Sequence, residues 1–195
     1  METKYFVVSL PRSGTSSISK MAYIVGMKQK HCPSLYFSHL LGRNDFNFYS
    51  DTPIYAPSTI DIICADEESD VKFIFINRNF KDIFQSWVNV NLYGDYLHIL
   101  KMYNSNRNNM SPSMLLDYES HYDAFNGNIL NESNYQEVFN NHKEMIINKI
   151  VGYNRPILIY NFESGWKPFC DFLGVNVPNV EIPIINKSKM FEAIV

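Results

Sequence analysis

Residues 4–26 constrain the fold more than any other part of the chain. Lys4-Tyr5-Phe6-Val7-Val8-Ser9-Leu10 is a short aromatic and β-branched run, cut off by Pro11, and it predicts a buried strand. Pro11-Arg12-Ser13-Gly14 follows as a turn. Beyond it Ile18, Met21, Ala22, Ile24 and Val25 recur at close to helical spacing, with Thr15 or Ser16 placed to cap the helix and Gly26 to stop it. Strand, glycine turn and helix in this order put a helix N-terminus beside the end of a buried strand.

The alternation recurs downstream. Residues 71–77 (VKFIFIN) are the clearest strand, and residues 79–90 read as a helix with Ile83, Phe84, Trp87 and Val88 on one face. A long amphipathic helix over about 135–150 precedes a third strand at 156–162 (PILIYNF). A short helix over 165–173 ends at Gly174. Residues 54–65 read as a helix entered through Asp51-Thr52-Pro53, with a strand over 60–64 as the alternative. A short helix is expected over 35–41 and a loop over 43–51. Residues 104–132, rich in Asn, Ser and Tyr with weak periodicity, read as a lid or an insertion rather than a domain boundary. Strands separated by helices predict an α/β fold, three layers (α/β/α) around a central parallel sheet, as a single domain over residues 1–195.

Composition narrows the function. The net charge of −3 and pI near 5.9 argue against a general nucleic-acid binder, which carries a basic surface, but leave room for a small basic pocket. Cys32, Cys64 and Cys170 are scattered and odd in number, so buried small apolar residues are expected rather than disulfides or a zinc site. No stretch approaches the roughly 20 apolar residues of a membrane span. The first apolar run is shorter than a secretory h-region. A soluble cytoplasmic protein is therefore expected, in which the sequons at Asn109, Asn131 and Asn186 carry no glycan.

The turn after the first strand has the chemistry of an anion site. Gly14 lets the backbone approach a ligand without a Cβ clash. The amides of Gly14, Thr15, Ser16 and Ser17 are donors of a helix N-terminus. The hydroxyls of Thr15, Ser16 and Ser17 add further donors, and Arg12 adds a charged fork. The bland reading is a tight turn with an ordinary cap. The G-x-x-x-x-G-K-[ST] loop of NTPases does not match, because only one glycine is present and no lysine follows it, and the G-x-G-x-x-G fingerprint is absent. The strand over 71–76 runs into Asn77-Arg78, not an acid. Residues 62–66 (IICAD) have the form of an acid-ended strand, which keeps a small magnesium-dependent P-loop kinase or NTPase open as an alternative.

Three elements in order carry a resemblance. Pro11-Arg12-Ser13-Gly14-Thr15-Ser16-Ser17 resembles the 5′-phosphosulfate loop of sulfotransferases that use 3′-phosphoadenosine 5′-phosphosulfate (PAPS). Arg78, closing a strand, and Ser86, eight positions on in a helix, resemble that family's 3′-phosphate element. Residues 158–186 resemble the ending of one branch of the family, and His142 and Ser50-Asp51-Thr52-Pro53 also resemble that branch. Arg12 stands where many members carry lysine, and Phe80 where a proline is more usual. The resemblance implies a P-loop NTPase-like fold and in-line transfer of a sulfuryl group from PAPS to an acceptor hydroxyl or amine, on a carbohydrate or small molecule. It implies 3′-phosphoadenosine 5′-phosphate (PAP) as product and no metal. Arg12, Ser13, Gly14, Thr15, Ser16 and Ser17 would hold the phosphosulfate, and Arg78 and Ser86 the 3′-phosphate. Asp51 is the expected base, or else simply a helix cap. His31 and His39 are the fallback bases, ahead of His121 and His142. A non-catalytic nucleotide-binding relative is a further alternative. Trp166, Phe169 and Phe172 read as core, Trp87 as core or a neighbour of the nucleotide, and the acidic run at 66–70 as a solvated loop.

Overall fold

The computed structural model describes residues 3–31, 46–51, 53–67, 69–89, 92–106, 108, 110 and 112–185. Among them are five strands: β1 (Lys4–Val7), β2 (Gln29–His31), β3 (Phe48–Ser50), β4 (Val71–Ile76) and β5 (Ile157–Tyr160). They form one sheet in the order β2-β3-β1-β4-β5, and every neighbouring pair is parallel. The helices are α1 (Thr15–Ile24), α2 (Pro57–Cys64), α3 (Phe80–Asn89), α4 (Leu92–Asn106), α5 (Pro112–Ala124), α6 (Tyr135–Gly152) and α7 (Trp166–Leu173).

Side chains of a strand alternate between its faces, and the central strands β1, β3 and β4 are buried on both, while the edge strands β2 and β5 are partly exposed. Tyr5, Val7, Phe48, Ile74 and Ile76 pack with Ile18, Met21 and Ala22 of α1 and with Phe169, Cys170 and Leu173 of α7. Phe6, Val8, Tyr49, Phe73 and Phe75 pack on the other face with Ile60 and Ile63 of α2 and Ile146 and Ile150 of α6. These are the three α/β/α layers. A third apolar cluster adjoins the strand ends: Leu10 and Tyr55 meet Ile83 and Trp87 of α3, Tyr96 of α4, and Phe139 of α6.

β2 and β3 were not legible: each is three residues long, and β3 lies within the stretch read as a loop over 43–51. The strand alternative over 60–64 is wrong. That segment is the end of α2, whose first turn holds Pro57, where a missing N–H costs nothing. Asp66 therefore does not close a strand, which removes the acid-ended strand on which the magnesium-dependent alternative leaned. The described residues of 104–132 are mostly helical, in the end of α4 and in α5, and Tyr118, His121, Ala124 and Phe125 of this stretch are buried. Trp166 and Phe169 are core as expected, while Phe172 is only partly buried against it. Cys64 and Cys170 are buried thiols; burial pushes Cys64 up to about 11. Cys32, Thr52, Glu68, Asn109, Asn186, His39 and the expected helix over 35–41 lie outside the described residues. Among the described residues no helix is long and apolar enough to cross a membrane.

Candidate functional site

From β1 the chain first builds β2 and β3 on one side, then β4 and β5 on the other. Such a reversal opens a crevice at the carboxyl ends of the strands, where α/β proteins bind ligands. His31 ends β2, Asp51 follows β3, residues 8–14 follow β1, Arg78 follows β4 and Phe162 follows β5.

The loop after β1 is braced from within. Ser13 Oγ donates to the Leu10 carbonyl at 2.6 Å, and Ser9 Oγ accepts from Ile76 N at 2.5 Å. Arg12 (φ 69°) and Gly14 (φ 116°) both take left-handed backbone conformations. For Arg12 such a conformation is strained and marks a position held by its surroundings. Gly14 is also crowded: a Cβ there would sit 2.5 Å from Cε2 of Phe162. Gly14 is the N-cap of α1 and brings no capping side chain. The helix therefore opens at the crevice with its first-turn amides and the positive end of its dipole.

On the β4 side, the side chains chosen from sequence converge on this loop. Arg78 Nη1 donates to the Arg12 carbonyl at 2.7 Å, and Arg12 Nε donates to Ser86 Oγ at 3.0 Å. Trp87 Nε1 donates to the Pro11 carbonyl at 2.8 Å. This third anchor was missed from sequence, because helical periodicity identifies Trp87 as buried but cannot show where its single N–H points. Beyond Arg78 opens a groove of about 810 Å³, lined by Arg78, Lys81, Lys143, Asn77, Asn140 and Phe162 among others. Its three cations, Arg78, Lys81 and Lys143, are set against two acids, Asp82 and Glu163, so the lining keeps only a small positive excess.

On the β3 side stand Asp51 and His31. Asp51 Oδ2 lies 3.2 Å from His31 Nε2 and makes a long 3.5 Å contact with Thr15 Oγ1. Ser16 Oγ is 3.3 Å from the same imidazole nitrogen. Asp51 has φ 77° and precedes a turn, with Ile54 N donating to its carbonyl at 2.8 Å, so it does not cap a helix at Thr52. The first-choice base and one fallback base thus form a single pair.

The remaining expected residues make contacts of their own. Ser17 Oγ accepts from Ile185 N at 2.9 Å, so its hydroxyl anchors the C-terminal segment. His142 is buried in α6, its Nε2 donating to the Tyr55 carbonyl at 2.9 Å. Burial lowers its pKa to about 4, so it is neutral at ordinary pH. His121 sits among the rings of Tyr55, Trp87, Tyr96 and Phe125.

Residues 37–191 match the family model of the sulfotransferase domain. The chain belongs to this sulfotransferase family. The matched stretch takes in Asp51, Arg78 and Ser86 but begins after the loop at Arg12 and Gly14, so the place of that loop in the sulfotransferase rests on its geometry. No curated protein sequence matches the chain.

Proposed function

We propose that this sulfotransferase takes its sulfuryl group from PAPS and passes it to a hydroxyl or amine of a carbohydrate or small molecule. The observation that carries this reading is the convergence on Arg12: Arg78 grips its carbonyl and Ser86 accepts from its side chain. That convergence supports the reading in which the loop at Arg12 holds the 5′-phosphosulfate and Arg78 and Ser86 the 3′-phosphate. A 3′-phosphate distinguishes this donor from ATP, and Arg78 offers it a bidentate charged fork.

In the transfer, a bond forms between the acceptor atom and sulfur as the sulfur–oxygen bond to the 5′-phosphate breaks, and the electron pair stays on the phosphate. Arg12 and the first amides of α1 meet that growing negative charge, the kind of fixed electrostatic support that lowers such barriers most. Asp51, across the loop, accepts the proton that the acceptor loses. No step calls for a metal, since cationic side chains and helix amides offset the charge.

Calorimetric titration of PAP, with ADP and ATP plus Mg²⁺ as comparators, tests the donor. PAP is expected to bind without metal and more tightly than either comparator. In Arg78→Ala its affinity should fall roughly 10- to 150-fold, the loss expected for charge-assisted hydrogen bonds of about 1.5–3 kcal/mol. Equal binding of PAP and ADP, or an unchanged affinity in Arg78→Ala, would overturn the assignment.

A further inference from the structure

On the β3 side of the phosphate loop, a row of polar side chains runs from α1 to Asp51. Ser19 Oγ, on α1, is 2.6 Å from Ser50 Oγ. Ser50 Oγ is 2.8 Å from His31 Nδ1, and His31 Nε2 is 3.2 Å from Asp51 Oδ2. Ser50 is fully buried and Ser19 nearly so. The β2–β3 register places His31 opposite Ser50, which is why the imidazole meets that hydroxyl.

Counting protons gives the row a direction. An ionised carboxylate only accepts hydrogen bonds, so the Nε2 facing Asp51 carries the proton. In a neutral imidazole the other nitrogen is then an acceptor, so the Ser50 hydroxyl donates to Nδ1. A hydroxyl has one proton to give, so Ser50 receives its bond from Ser19. Each hydroxyl donates once along the row, and bonds aligned in this way strengthen one another at a buried site.

We infer that His31 is a positioning residue for Asp51, held as the neutral Nε2–H tautomer by the Ser19–Ser50 relay. It donates to Asp51 Oδ2 and fixes that carboxylate, whose backbone is in a left-handed conformation side chains rarely adopt. The inference rests on the reading of Asp51 as the proton acceptor. It adds that the helix carrying the phosphate loop and the base are one hydrogen-bonded unit, joined through Ser19 on α1. The conformation of the donor loop and the aim of the base are thereby linked.

Ring-nitrogen NMR of the isotopically labelled full chain, above neutral pH, reads the tautomer directly. The signals of His31 are picked out from the five histidines by comparison with His31→Gln, or by through-bond assignment should that variant not fold. A protonated Nε2 with a bare Nδ1 is expected in the wild type, and Ser50→Ala should lose this single form. The inference is overturned by an Nδ1–H tautomer or a doubly protonated ring in the wild type, a measurement that needs no folded variant. It is also overturned if Ser50→Ala keeps the same pure tautomer. PAP titration of the same wild-type sample separates the failures: normal PAP binding with the wrong tautomer refutes the relay alone, whereas absent PAP binding refutes the donor reading.

Discussion

Replacing Gly14 by alanine perturbs two separable terms. The first is backbone strain, since φ at this position is 116°, and an L side chain in such a conformation costs about 1–3 kcal/mol. The second is overlap. The new methyl carbon would lie 2.5 Å from Cε2 and 2.9 Å from Cζ of Phe162, well inside the roughly 3.5–4.0 Å of a carbon–carbon contact. Phe162 packs edge-on against Tyr160, with ring centroids 5.3 Å apart, so its ring can retreat only by giving up that contact. Overpacking of this kind costs about 1–3 kcal/mol. Gly14→Ala should therefore destabilise the protein by about 2–6 kcal/mol. Urea unfolding followed by tryptophan fluorescence suits the measurement, because Trp87 is hydrogen-bonded to the loop itself. A double-mutant cycle with Phe162→Ala divides the two terms: the overlap disappears in the double variant, so the two changes should couple by about 1–3 kcal/mol, while the backbone term stays. If Gly14→Ala costs under about 1 kcal/mol, or the two changes simply add, Phe162 does not pack closely on the loop at Gly14.

Further outcomes follow from individual contacts. His142 has its pKa lowered by burial from 6.5 to about 4, so the unfolded chain takes up a proton at this residue before the folded chain does. Its contribution is complete above pH 6.5 and is lost as the pH falls toward 4, about 3 kcal/mol in all by linkage. Urea midpoints of the wild type and His142→Gln should converge as pH is lowered through that window; an unchanged gap would mean that the folded imidazole ionises freely. Ser17→Ala removes the acceptor for Ile185 N and should cost about 0.5–1.5 kcal/mol in the same assay. It should leave the PAP affinity within about threefold, a change of some 0.7 kcal/mol, because the backbone amide at position 17 remains. A large loss of PAP affinity without a loss of stability would return the Ser17 hydroxyl to the donor site.

Where local patterning is strong, the chain announces its own structure. The run from Lys4 to Leu10, the turn at Gly14 and the apolar spacing from Ile18 onward are local properties, and β1, the loop and α1 formed as that spacing dictates. β4, β5, α3, α6 and α7 were legible for the same reason: each has enough consecutive residues for a period to show. The parallel sheet followed from the alternation of strands and helices. The Arg78–Ser86 spacing was visible as well, being little more than two turns of helix.

Tertiary structure alone decided what has no local period. Three-residue strands such as Gln29–His31 and Phe48–Ser50 cannot display an alternation, and they are strands because β1 and its neighbours offer them hydrogen-bonding partners. From sequence, Asp51 and His31 were separate candidates for one role. The parallel register that sets His31 beside Ser50 makes them a pair, joining residues 20 apart in the chain. Ser17, chosen for its place in the loop, also accepts a hydrogen bond from a segment 168 residues later. Strand and helix positions are fixed by neighbours in sequence. The direction of a hydroxyl, an imidazole or an indole N–H is fixed by whichever acceptor the fold brings within about 3 Å, and only the assembled sheet supplies that partner.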